Sequence, residues 1–230
     1  MGKSTSLARS TAALQLRWSY LPPLLIYLAA GSSGLTAIVS TFFVKDYLEL
    51  PAEFIASLAF WATLPWSLKI LLGHLVDRLW QFKAWLVVLG AALVTASLAI
   101  MLGLLTNRQA MASWQPVQGW YVLSSLLAPL GYVLQDVVAD AMTVEAVPRV
   151  HCNGESVNTQ QAKLMHTTMQ TLARGTLIAG SVLVSALNLA LFSGGSEGAE
   201  SSRIGIYQQV YQIALFIPLL SVLGVVLARV

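Results

Sequence analysis

Of the 230 residues, 57% are hydrophobic and only 10% are charged, against roughly 25% charged in an average soluble domain, which is too little charge to solvate a globular surface. The formal charge of +3 comes from basic residues gathered at the ends of apolar runs. That placement accounts for the charge without a nucleic-acid partner.

Residues 1–17 carry Lys3, Arg9 and Arg17 and are expected to form a cytoplasmic N-terminal segment. The apolar run that follows, 18–44, is long, aromatic and proline-containing. No small-residue cleavage pattern precedes Lys45, so the run is expected to be a retained first span rather than a signal peptide. Five further runs follow at 52–72, 84–106, 120–144, 165–192 and 206–227, each near the roughly 20 residues that cross about 30 Å of hydrocarbon at 1.5 Å per residue. The alternating segments of about 10 residues that build a membrane β-barrel are missing from this pattern. The expected fold is therefore all-α, a single polytopic transmembrane bundle of six spans over 18–230.

Basic residues favour the cytoplasmic side. With the N-terminus inside, Lys3, Arg9, Arg17, Lys69, Arg78, Lys83, Arg149, Lys163 and Arg229 fall inside, and only Lys45, Arg108 and Arg203 fall outside. Both termini are thus expected to be cytoplasmic, in a bacterial inner membrane. Cys152 is the only cysteine, so a disulfide framework or a cysteine metal site has no basis. His74, His151 and His166 lack metal-ligand spacing and are expected to be structural or interfacial. Gly-rich phosphate loops, nucleophile elbows and zinc-protease motifs are not found, and neither enzyme chemistry nor a cofactor is expected.

Polar groups inside the spans carry the functional expectation, because an ionisable side chain in hydrocarbon costs on the order of 3 kcal/mol unless it faces a cavity or a partner. In the fourth span, Ser125, Tyr132, Asp136, Asp140 and Thr143 fall within about 80° on a helical wheel. In the fifth, Thr167, Gln170, Arg174, Ser181, Ser185 and Asn188 fall within about 60°. Hydroxyls and amides on one face serve helix packing as well, but packing does not require an arginine. Arg174 and Asp136 lie at similar depth and are expected to pair. Such a pair is either a structural salt bridge or a site in which Arg174 holds an anion while Asp136 or Asp140 exchanges a proton. Gln170 and Tyr132 complete the expected substrate-binding and coupling set. Glu145 lies on the opposite side of its helix and is expected at a gate or interface. Gly31, Ser32, Ser33 and Gly34 permit a close helix approach or a bend in the first span.

The stretch GHLVDRLWQFK, from Gly73 to Lys83, resembles the cytoplasmic loop motif of major facilitator superfamily transporters. The resemblance implies a tight turn at Gly73 and a gating clasp of helix ends by Asp77, Arg78 and, more loosely, Lys83. The Gly-Arg pair that usually follows the Asp-Arg is missing. Within that superfamily, FVKDYLELPAEFIASLAFWATLPWSLKILLGHLVDR, DVVADAMTVEAVPR and the Arg174 region are similar to the folate-biopterin transporter family. That resemblance implies a secondary transporter for folates, pterins or related organic anions, coupled to protons, with Asp136, Asp140 and Arg174 as its membrane-embedded charges. Superfamily members have two six-helix halves with the substrate between them. This chain supplies the first half, so it is expected to be a truncated product or fragment, or else a half-transporter that works with a second half or a second copy. The competing expectations are a non-transporting membrane assembly protein on the same half fold and a facilitator for a different organic anion.

Overall fold

The structure, a computed structural model, describes residues 18–48, 50–148, 156–193 and 200–228, without the side chains of 46, 47 and 200–203. The expectations placed on Lys3, Arg9, Arg17, Arg149, His151, Cys152 and Arg229 lie outside the described residues.

The first span is a helix of changing pitch. After a 3-10 turn at Trp18–Tyr20 comes α1 (Leu21–Gly31), then a 3-10 segment at Ser32–Thr36, α2 (Ala37–Phe43) and a π turn at Val44–Leu48. Pro22 and Pro23 occupy the first turn of α1, where the missing N–H has no intrahelical partner to lose. Helices α3 (Ala52–Ser67) and α4 (Lys69–Arg78) follow, then a 3-10 turn at Trp80–Phe82 and α5 (Lys83–Thr106). The chain continues through α6 (Arg108–Ala112), α7 (Val117–Glu145), α8 (Thr159–Ser193), α9 (Glu200–Ala214) and α10 (Ile217–Ala228). Pro51 and Pro116, both with extended ψ, sit immediately before α3 and α7 and fix where each begins.

Among the described residues the fold is a bundle of helices with five stretches long and apolar enough to cross a membrane: Trp18–Phe43, Trp80–Thr106, Val117–Glu145, Thr159–Ser193 and Ile204–Ala228. The pair α3 and α4, bent by 43°, makes a sixth if it is one span. The run expected at 52–72 thus differs from what forms. The helix breaks at Leu68 and resumes to Arg78, because Pro65 inside α3 withholds the N–H that its preceding turn would accept and crowds that turn's carbonyl. Gly73, expected at a tight turn, lies inside α4, and a Cβ added there would meet open space. The turn comes instead after Arg78, at Leu79 and Trp80–Phe82.

Helices α5 and α7 pack backbone to backbone. A Cβ on Gly90 would lie 2.7 Å from the Gly131 carbonyl oxygen, and one on Gly131 would lie 2.5 Å from that of Gly90, so only glycine permits this approach. Farther along the same seam, the Ser97 hydroxyl reaches the Ser124 carbonyl at 2.8 Å, and the Ser124 hydroxyl reaches the Ser97 carbonyl at 3.0 Å. Helix α1 meets α8 as closely, since a Cβ on Gly31 would fall 2.1 Å from the Leu177 carbonyl oxygen. The expected pliancy of Gly31 to Gly34 therefore has two parts: a close approach at Gly31, and a change of helix pitch beginning at Ser32. Helix α8 is the least enclosed. Only 17% of its apolar stretch is buried, against 39–44% in the other four candidates, and its polar face is open.

Candidate functional site

A cavity of about 1680 Å³ opens between the first span, the α3–α4 break, α7 and α8. Tyr132, Asp136, Asp140 and Thr143 line it from α7. From α8 it receives Thr167, Gln170, Arg174, Ser181, Ser185 and Asn188, every member of the stripe expected on the fifth span. A 3.6-residue period places those side chains on one face, and the packing of Gly31 on Leu177 turns that face along the first span.

The charges meet at the level of the α3–α4 break. Lys69, the first residue of α4, forms ion pairs with Asp136 and, at 2.7 Å, with Asp140. Asp136 is 6% exposed, whereas the Asp140 side chain is 49% exposed and stands open to the cavity. Tyr27 of α1, itself buried, donates its hydroxyl to Asp140. An acidic pair at membrane depth is tenable only with such compensation, and Lys69 and Tyr27 supply it from two neighbouring spans.

The expected Arg174–Asp136 ion pair does not form. Lys69 occupies the carboxylates, and Arg174 has no ion pair or hydrogen bond among the described residues. Arg174 lines the same cavity and acts electrostatically on Tyr27 and Asp136 from α8. Lys69, counted from the sequence only among the cytoplasmic-side basic residues, lines the cavity and pairs with both carboxylates. The available signal was the apolar run Ile70, Leu71, Leu72 on its far side, which marks a lysine within a span rather than at its end. Tyr27 carried no signal, being one tyrosine in an apolar helix.

The uncharged part of the cavity lies farther along α8. Ser181 donates to the Gly31 carbonyl at 3.2 Å and Asn188 to the Leu35 carbonyl at 3.4 Å, so both hold the pitch change of the first span. Ile38, Phe42, Trp66 and Phe192 add apolar and aromatic surface. Ionic groups at one level, with hydroxyls and aromatic faces beyond them, suit an amphipathic anion.

The loop motif stands apart from the cavity. Asp77 and Arg78 are exposed and form no ion pair among the described residues. The clasp expected of them is made by Lys83, which pairs with Glu145 at the end of α7 and lies 4.5 Å from the centroid of the Trp80 ring. Gly73, Asp77 and Arg78 are brought near one another by α4, and among the described residues Asp77 and Arg78 form no ion pair with a neighbouring helix end.

No curated protein and no solved structure matches the chain. The BT1 family matches residues 30–197, a stretch that holds every cavity-lining residue except Tyr27. The chain is therefore an integral membrane protein that belongs to the BT1 family, the folate-biopterin transporters related to the major facilitators.

Proposed function

We propose that the chain forms the substrate-bearing half of a proton-coupled secondary transporter for folates, pterins or related organic anions. The observation that carries this is the cavity with an unpaired Arg174 facing a lysine-bridged pair of carboxylates. Arg174 makes the main contact with the substrate anion, Gln170 and Tyr132 flank it, and Asp136 and Asp140 take up the coupling proton. An arginine is suited to a carboxylate because its planar fork offers paired donors and keeps its charge at any physiological pH. Lys83 with Glu145, beside Gly73, Asp77 and Arg78, holds the cytoplasmic ends of the helices at the gate.

The open polar face of α8 supports a second six-helix half, or a second copy, across the cavity, since polar side chains at membrane depth are stable only against protein or a water-filled space. The weighting of Lys and Arg toward one side supports an orientation with both termini in the cytoplasm, and we place the protein in a bacterial inner membrane. Uptake of labelled folate and pterins into proteoliposomes under an imposed proton gradient tests this function. Proton-driven uptake that is lost in Arg174→Ala and uncoupled in Asp136→Asn is expected. Wild-type uptake in both variants would overturn the assignment.

A further inference from the structure

Two cations and two carboxylates share the cavity, but they are not matched one to one. Lys69 pairs directly with both Asp136 and Asp140, while Arg174 makes a direct ion pair with neither. The titratable and charged groups that line the cavity with Lys69 are Tyr27 from α1, Tyr132, Asp136 and Asp140 from α7, and Arg174 from α8. With both carboxylates ionised, the formal charges cancel. An anion entering alone would leave the site one charge negative at membrane depth, where an uncompensated charge is costly. One entering with a proton would leave it neutral.

We propose that Lys69 is a shared ligand, passed between the acidic pair and the transported anion. A proton taken up by the Asp136–Asp140 pair frees Lys69 from one carboxylate, and the released ammonium becomes the second cationic contact of the anion beside Arg174. This rests on the anion-transport function proposed above. The only bond formed is O–H on one carboxyl oxygen, and the proton comes from water reaching the exposed side of Asp140.

Three features fit Lys69 for this role. Its side chain is 35% exposed and lines the cavity with Arg174, so an anion reaches both. Lysine carries a compact charge on a flexible stem and can exchange partners, whereas arginine holds a carboxylate in a fixed fork. It also follows the break at Leu68, where the backbone leaves helical geometry (φ −86°, ψ 5°), so a small change in the 43° bend shifts its position relative to α7. Lys69 is thus a specificity-determining residue that makes anion affinity depend on protons.

The test is equilibrium binding of labelled folate and of pterin-6-carboxylate to the protein in lipid nanodiscs at acid and neutral pH. The wild type is expected to bind more tightly at the lower pH, by up to about tenfold per pH unit for one linked proton. Lys69→Gln is expected to bind with nearly the same affinity at both, whereas Arg174→Gln binds more weakly at both and keeps the wild-type ratio. A wild-type ratio in Lys69→Gln overturns the proposal and leaves the transport function standing. A wild type that binds neither probe overturns that function and the proposal with it. Should Lys69→Gln not fold, proton uptake by the wild type on mixing with the probe in weakly buffered solution decides: close to one proton per bound anion supports the handover, and none overturns it.

Discussion

Lys69 and Asp136 form an ion pair across the α3–α4 break, with Asp136 almost withdrawn from solvent and Lys69 about one-third exposed. Removing the cation alone leaves a buried carboxylate short of its main counter-charge. Breaking a fully buried pair costs about 3–5 kcal/mol, and the partial exposure of Lys69 reduces this to about 1–3 kcal/mol. Lys69→Met is therefore expected to lower the detergent-solubilised unfolding temperature, and Lys69→Met with Asp136→Asn to recover most of the loss. Thermal unfolding followed by tryptophan fluorescence measures both. Equal unfolding temperatures for the single variant and the wild type would show that the pair contributes nothing to stability.

The α5–α7 seam gives a prediction of a different kind. Gly131 is held against the Gly90 carbonyl, an atom of the backbone that cannot rotate aside as a side chain can. Gly131→Ala is expected to cost about 1–3 kcal/mol through overpacking. Ser97→Ala, which removes one of two reciprocal hydroxyl contacts, is expected to cost nearer 0.6 kcal/mol, typical of an interhelical hydrogen bond in a membrane protein. Unfolding titrations in mixed micelles give both values, and a Ser97→Ala loss larger than that of Gly131→Ala would contradict this ordering.

The amphipathic faces were legible from the sequence, and the partners across the cavity were not. Periodicity places Arg174, Ser181 and Asn188 on one side of α8 because the helix fixes their angular positions, and the cavity does collect that whole face. Depth along two helices suggested that Arg174 pairs with Asp136, but equal depth says nothing of which cation lies nearer in the plane of the membrane. That depends on the bend after Pro65, which carries Lys69 to α7, and a bend of 43° does not follow from the presence of a proline. The position of the turn within the loop motif was hidden for a related reason. The helix continues through Gly73 to Arg78, so the turn and the clasp fall later, at Trp80 and Lys83.

Lys83 and Glu145 tie the start of α5 to the end of α7, with Trp80 beneath the ammonium. Both partners are substantially exposed, so Lys83→Ala is expected to cost less than about 1 kcal/mol, and the cost should shrink as salt is added. Asp77→Asn is expected to leave stability unchanged, since Asp77 makes no ion pair among the described residues. A Lys83→Ala loss that persists undiminished at high salt would assign the contact to packing on Trp80 rather than to charge.

Arg174 provides the sharpest contrast with Lys69, because the two cations line one cavity and only one of them is paired. Arg174 makes no ion pair or hydrogen bond among the described residues and acts on Asp136 only across the cavity, so its removal costs the unliganded protein less than the removal of Lys69. Arg174→Ala is therefore expected to unfold closer to the wild-type temperature than Lys69→Met does. Binding should order the variants differently. The charge-assisted contact to a carboxylate is typically about 1.5–3 kcal/mol, so Arg174→Ala should weaken folate binding by about tenfold to a hundredfold. Measured together, unfolding temperature and folate affinity separate a side chain held for its ligand from one held for the fold. A destabilised Arg174→Ala with unchanged affinity would place Arg174 among the structural charges.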